Sequence, residues 1–289
     1  MMLNFRQMMI ERFVAELHES YRQNYSQIEP QYANIIEWTG RLALENIANS
    51  DNLYHDVEHT ILVTLVGQAI LKGKHISEGG VTPRDWLHFT MALLTHDIGY
   101  VRGVCQADQP GLYATGLEAD LVCLSDEFTD SVLTPYHVDR SKLFVFERFG
   151  TQKTLVDVVD PQLIADFIER TRFPVPNDPA YDQTDDYPGL LRAADFIGQL
   201  GDPGYLRKVP ALYYEFEENG VNAQIGYKSP GHMRRAYTKF YWNVVYPFIG
   251  PAIKYLNVTQ DGKQWVANLY AHVHKVEHDL IDQGTRPQP

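Results

Sequence analysis

Along almost the whole chain, apolar residues recur at three- and four-residue spacing. That period buries one stripe of a helix, whereas a half-buried strand needs strict alternation. The spacing predicts helices over residues 5–25, 35–48, 56–72, 84–98, 116–125, 138–149, 161–171, 187–200, 204–218, 231–248 and 264–282. Thr82 is placed to cap the helix at 84–98, with Pro83 in its first turn, and Pro30 similarly opens the second helix. Segments 101–115 and 172–186 read as irregular, the second a Pro- and Asp-rich surface loop, RFPVPNDPAYDQTDD. Strand evidence is thin, and the one hairpin-like signal is Asn219-Gly220. With no internal repeat or low-complexity tract, the expected fold is all-α, a single domain over residues 1–289.

A hydrophobic share of 44% supplies a well-filled core, and 21% charged residues is ordinary for a soluble domain. The opening MMLNFRQMMIERF is broken by Arg6, Glu11 and Arg12, unlike a signal peptide. The longest uncharged stretch, between Lys239 and Lys254, contains Pro247 and Pro251 and falls short of the roughly 20 residues a membrane span requires. Cys105 and Cys123 form no CxxC pair and no disulfide framework, so a reducing, cytoplasmic setting is expected. A net charge of −12 repels a phosphate backbone and argues against a long nucleic acid as partner. A small anionic substrate stays compatible, because bound divalent cations reverse a local field. A homo-oligomer is left open.

Two predicted helices carry groups that a core helix avoids. His96 and Asp97 lie inside the apolar run MALLTHDIGY, and Asp195 is flanked by Ala193, Ala194, Phe196 and Ile197. A buried carboxylate needs a partner. Arg192, three positions before Asp195, is one candidate, and a metal cation is a stronger one. His55 and His59, in YHDVEH, are four apart and share a face if one helical turn includes both. His59, His96, Asp97 and Asp195 together form a mixed nitrogen and oxygen ligand set suited to Mn, Fe, Zn or Mg. Asp97 has two oxygens able to bridge neighbouring ions.

In this order, His59, His96-Asp97 and Asp195 resemble the H…HD…D pattern of HD-domain metal-dependent phosphohydrolases. YHDVEHTILVT is similar to the YHNxxHAxxV motif of class I cyclic nucleotide phosphodiesterases, and LLTHDIGYVRG to their HDxxHPG motif. FTDSVLTPYH is similar to NDxSVLENHH, and AADFIGQLGDP to the segment with their last metal-binding Asp. The resemblance covers roughly residues 50–200 and implies an HD-type helical bundle with helical extensions on either side. It implies that His59, His96, Asp97 and Asp195 hold two divalent ions, with Asp97 also serving catalysis. His55 is implied to protonate the leaving oxygen; Asp56 and Glu58 are alternative orienting partners for it. Tyr100 stands where the motif has its second histidine, and Thr134 where it has glutamate. The expected activity is hydrolysis of a phosphoester on a small nucleotide-like substrate, with diester and monoester both open. A silent ligand-binding or regulatory protein and a di-iron oxygenase are the alternatives.

Further histidines have two readings. His272, His274 and His278 in YAHVHKVEHDL suggest ligands, but Lys275, Glu277 and Asp279 suggest a solvated face instead. His88 reads as packing before second-layer support, and His137 as an even choice between packing and the pocket. The stretch MRRAYTKFYWNVVYPF reads as a core-facing helix with a basic edge at Arg234, Arg235 and Lys239. Its alternative is a lid bringing a cation and aromatic faces to the substrate.

Overall fold

A computed structural model describes residues 4–125, 127–152 and 154–284. Residues 1–3, at the head of the opening stretch weighed above as a leader, lie outside the described residues. The all-α expectation holds: helices run α1 (Phe5–Tyr25), α2 (Gln31–Ile47), α3 (Val57–Glu78) and α4 (Pro83–Thr95). After a short hairpin, β1 (Leu112–Ala114) and β2 (Leu121–Cys123), come α5 (His137–Phe149), α6 (Pro161–Glu169) and α7 (Tyr187–Leu200). The chain closes with α8 (Tyr205–Glu218), α9 (Val221–Ile225), α10 (Pro230–Phe240), α11 (Tyr246–Leu256) and α12 (Gln260–Gly284).

Local chemistry sets most boundaries. Thr82 and Asp85 form a reciprocal capping box at the start of α4, each side chain satisfying the other's backbone N–H. Asp186 caps α7 by accepting from the Gly189 N–H, and Pro188 sits in the first turn, where no donor is needed. The helix expected over 231–248 is divided. α10 passes into a π turn at Tyr241–Val245 before α11 starts, and Pro247 near that start cannot donate back along the helix. The helix expected over 116–125 is absent. Gly116 and Glu118 take positive φ, of 82° and 50°, and the chain instead folds back so that Ala114 pairs with Leu121 and Leu112 with Cys123. At Asn219-Gly220 there is no hairpin: Gly220, left-handed at φ 67°, links α8 to α9.

α3 and α7 form the central pair, with α11 lying against both. α4 packs on α2, α3 and α6, α1 on α2, and α12 on α10 and α11. One hydrophobic cluster extends from Ile10 to Val276, so the helical ends belong to the same core. Among the described residues no helix is long and apolar enough to cross a membrane.

The central pair touches backbone to backbone. A Cβ added at Gly198 of α7 would lie 2.7 Å from Val63 Cα and 2.9 Å from Val63 N on α3. Neither atom can swing aside as a side chain could. Gly198→Ala should therefore destabilise the fold by about 1–3 kcal/mol, through overpacking. The check is the urea midpoint at constant m; an unchanged midpoint would show that the pair can separate freely.

Candidate metal centre

Each proposed donor is aimed by the local fold. Asp56 is the N-cap of α3, its Oδ1 accepting from His59 N–H at 3.0 Å, which fixes His59 in the first turn. Asp56 is thus occupied and does not orient His55. At the other end of the site, α4 stops at Thr95, so His96 and Asp97 leave the helix rather than continue it. Asp97 adopts φ −106° and ψ 3°, in the bridge region, and opens the 3-10 turn Ile98–Tyr100. This turn is pinned to α5. Ser141 Oγ donates to His96 O at 2.7 Å and accepts from Gly99 N–H at 2.9 Å. A Cβ at Gly99 would fall on His137 O, so only glycine lets α5 approach this closely. The fully buried Arg140 guanidinium donates to the carbonyls of Gly99, Val101 and Ala114 and to the Asp108 carboxylate, tying turn, loop and hairpin together.

Asp195 reaches the site from the middle of α7, one turn before Gly198. His59 Nε2 lies 3.4 Å from Asp195 Oδ1 and 3.2 Å from Asp97 Oδ2. His96 Nε2 lies 3.7 and 3.1 Å from the same two oxygens. His96 Nδ1 donates to Leu93 O at 2.8 Å, which leaves Nε2 as the nitrogen able to ligate. The donors fall into two overlapping groups, His59–His96–Asp195 and His55–His59–Asp97, each with its ligand atoms within 4.8 Å of one another.

The residues fit a divalent cation. His59 Nε2, His96 Nε2 and Asp97 Oδ2 are buried, face one another, and meet no hydrogen-bond partner among the described residues. Such orphaned polar atoms are costly, and three at one point call for a common partner. The electrostatics agree. Burial opposes charge on the His59 imidazole, but Asp195 and Asp97 outweigh it and push its pKa up to about 9; His96 is raised for the same reasons. Burial likewise opposes charge on Asp195, yet His59 and His96 hold its carboxyl down to about 2, and Asp97 is also held well below the usual range. The two carboxylates thus favour positive charge at this point, carried by protons on the imidazoles, and a metal cation binding there would displace those protons. Arg192, the alternative partner for Asp195, donates instead to the carbonyls of Tyr181 and Gln183 and lies over the Phe248 ring.

His55 sits just ahead of α3, outside the helix, so the shared helical face expected for it is not how it meets His59. Its Nδ1 is 2.6 Å from Glu215 Oε2, on α8, while Glu215 Oε1 accepts from the backbone N–H of Tyr54 and His55. Glu215, not Asp56 or Glu58, is therefore the orienting carboxylate; Glu58 pairs with Lys208. Burial lowers the His55 pKa, but Glu215 raises it further, and His55 in turn keeps Glu215 ionised. Glu215 is 160 positions from His55 in the chain, in a run, EFEE, that looks solvated, so only its place beside Leu212 and Phe216 hinted at burial.

Tyr100 stacks between two histidines, with centroids 4.8 Å from His55 and 4.3 Å from His137 and planes within 18° and 13° of parallel. His137 belongs to the pocket: Nδ1 donates to Thr134 O, and Nε2 lies 4.0 Å from Asp97 Oδ1. Burial keeps its pKa low. The two Asp97 oxygens thus face different partners, Oδ2 His59 and His96, and Oδ1 His137. His88 is structural, with Nδ1 donating to Arg84 O and Nε2 accepting from Asp160 N–H. His272 donates to Leu200 O, and His274 and His278 stack on α12 away from the cavity. Arg234 pairs with Asp279, but its helix does cover the cavity, through Met233, Tyr237 and Phe240. Of the lid reading, the aromatic half is present, and no Lys or Arg lines the cavity among the described residues.

A family model described as Npun_R2479-like matches residues 3–279, and the chain belongs to that family. No curated protein matches the chain.

Metal content provides the direct check on the donor set. Protein dialysed against chelator should regain thermal stability on adding Mn or Zn, by about 2.7 kcal/mol at a hundredfold excess over Kd. Asp195→Asn and His59→Ala should lower occupancy in elemental analysis and blunt that gain. Full loading of both variants would remove them from the ligand set.

Proposed function

We propose that this member of the Npun_R2479-like family is a metal-dependent phosphohydrolase of the HD-domain type. The observation that carries the reading is the convergence of His59, His96, Asp97 and Asp195 beside a His55–Glu215 dyad, at the end of one cavity. A regulatory protein without turnover has no need of a carboxylate-oriented histidine at such a place. The substrate proposed is a small anionic phosphoester.

Divalent ions bound at these donors would supply Lewis acidity to the phosphoryl oxygens and water at a lowered pKa. The chain does the rest. Glu215 accepts the Nδ1–H of His55, fixing the ring and leaving Nε2 for the cavity. The same carboxylate favours the imidazolium, so Nε2–H is held ready to protonate the leaving oxygen, which departs as an alcohol. The Tyr100 ring prevents His55 from tilting. His137, held neutral beside Asp97 Oδ1, can accept a hydrogen bond from an attacking water. His137 also enlarges the donor set towards that of a di-iron oxygenase, a second reading that bound iron with oxygen consumption would favour.

With Mn, Mg, Fe or Zn restored, phosphate release from a generic monoester or diester should be metal-dependent and lost in Asp97→Ala. His55→Ala should retain metal and slow turnover by about 10²–10⁴-fold, the usual contribution of a general acid. Unchanged turnover would remove His55 from the chemistry. Glu215 is a positioning residue with its own signature. It raises the His55 pKa, so the acid form is lost as pH rises through that raised value. Glu215→Gln should therefore shift the alkaline limb of the kcat profile to lower pH, whereas a purely structural role would scale the curve without moving it.

A further inference from the structure

Beyond the donor set, the cavity is mostly apolar and aromatic. Its volume is about 300 Å³, and its walls away from the histidines are built from Phe173, Phe196, Tyr205, Phe216, Tyr237 and Phe240. Among the described residues lining it there is no Lys and no Arg. Of the cations that flank the lining positions in sequence, Lys228 and Lys239 are exposed and outside the lining, and the arginines are committed elsewhere. Arg172, between Thr171 and Phe173, is bound by Glu169 and Asp139. Arg234, next to Met233, is paired with Asp279, and Arg192, one turn before Asp195, is held by two carbonyls and the Phe248 face.

This distribution of charge restricts what fits. One anionic group can be matched at the donor set, where bound cations would meet it. A second anionic group carried away from the donor set would lie against buried and half-buried aromatic rings with no cation among the lining residues to pair with, which is disfavoured. The chain's net charge of −12 adds long-range repulsion for every further negative charge. Apolar and aromatic bodies, by contrast, gain from burial against these rings.

Resting on the phosphohydrolase reading, we infer that the cavity selects phosphoesters with a single phosphoryl group on an uncharged, largely apolar or aromatic body. It rejects substrates bearing a second anion, nucleoside di- and triphosphates among them. The wall that performs the selection is the α10 face, with Phe240 facing Phe173 at 6.0 Å between centroids.

Three phosphonates that cannot be hydrolysed separate the contributions by calorimetry on the Mn-loaded full chain. Methylphosphonate measures the head group alone, phenylphosphonate adds an apolar body, and 4-phosphonobenzoate adds a second anion to that body. Phenylphosphonate should bind at least tenfold tighter than methylphosphonate, and 4-phosphonobenzoate at least tenfold weaker than phenylphosphonate. Phe240→Ala should erase the phenyl advantage while leaving methylphosphonate unchanged, which shows that the variant is folded. Phe240→Arg should reverse the order by supplying the missing cation. Equal affinities for the methyl and phenyl compounds, a preference for the benzoate, or no binding by any of the three would each overturn the inference. Tight phenylphosphonate binding without hydrolysis of any ester would sink the hydrolase reading and leave the ligand class standing.

Discussion

The close approach of α3 and α7 is the constraint on which the rest of the site depends. Val63 on α3 meets Gly198 on α7 with no room for a methyl group between them. One turn towards the helix N-terminus from Val63 lies His59, and nearly one turn back from Gly198 lies Asp195. The contact thus sets the distance between two donors from helices far apart in sequence, and it brings them to 3.4 Å. A wider crossing, with ordinary side chains interleaved, would hold the helices 8–10 Å apart by their axes and separate the donors further. The third element, the His96-Asp97 turn, is added to this pair by α4 and locked from behind by Ser141 and Arg140.

The polar groups buried in this molecule follow one logic. Arg140 meets Asp108 and three carbonyls, and Glu215 meets His55 and two backbone N–H groups, so both are satisfied within the chain. Glu215 and Arg140 hold pieces in place. His59 Nε2, His96 Nε2 and Asp97 Oδ2 differ in that the two nitrogens crowd the Asp97 oxygen at 3.2 and 3.1 Å while none of the three makes a hydrogen bond among the described residues. A fold does not keep three such atoms together for stability, since replacing buried charges by apolar groups is often neutral or favourable. Their retention is an argument for a ligand.

How much of this could be read from the sequence follows from how local each signal is. Helix periodicity, the Thr82 and Asp186 caps and the isolated Asp195 are short-range features, and α1, α7 and α8 lie within a residue of their expected bounds. Of the four proposed donors, His96, Asp97 and Asp195 stood out as polar intrusions into apolar runs, and His59 through its spacing from His55 in YHDVEH. The stretch 116–125 misled because its apolar spacing concealed positive φ at Gly116 and Glu118. The single helix over 231–248 misled because the π turn before Pro247 changes the repeat without changing composition. Glu215 and His137 were hard to place for a different reason. Their roles are defined by partners that the fold supplies, His55 and Asp97, and no spacing along the chain encodes those contacts.

On the proposed phosphohydrolase reading, the two halves of the cavity divide recognition from chemistry in a way that bears on the substrate. Hydrogen-bonding and charged groups gather at one end, on α3, α4, α5, α7 and α8, while α10 contributes rings to the other. An active site for polyphosphates spreads cations along the path of the phosphates, because each anion removed from water needs its own partner. Here all the capacity to meet negative charge is concentrated at the donor set. Affinity for the remainder of a substrate must come from apolar contact, which grows with area and carries little directional demand. Such a site discriminates sharply by charge and size and weakly among apolar bodies of similar shape, since one methylene is worth only about 1–3 kcal/mol. Specificity for one phosphoester would then rest on the few polar groups among the rings, Gln199, Thr171 and Tyr205, which are the positions where a neutral hydrogen-bonding substrate would be distinguished from a hydrocarbon.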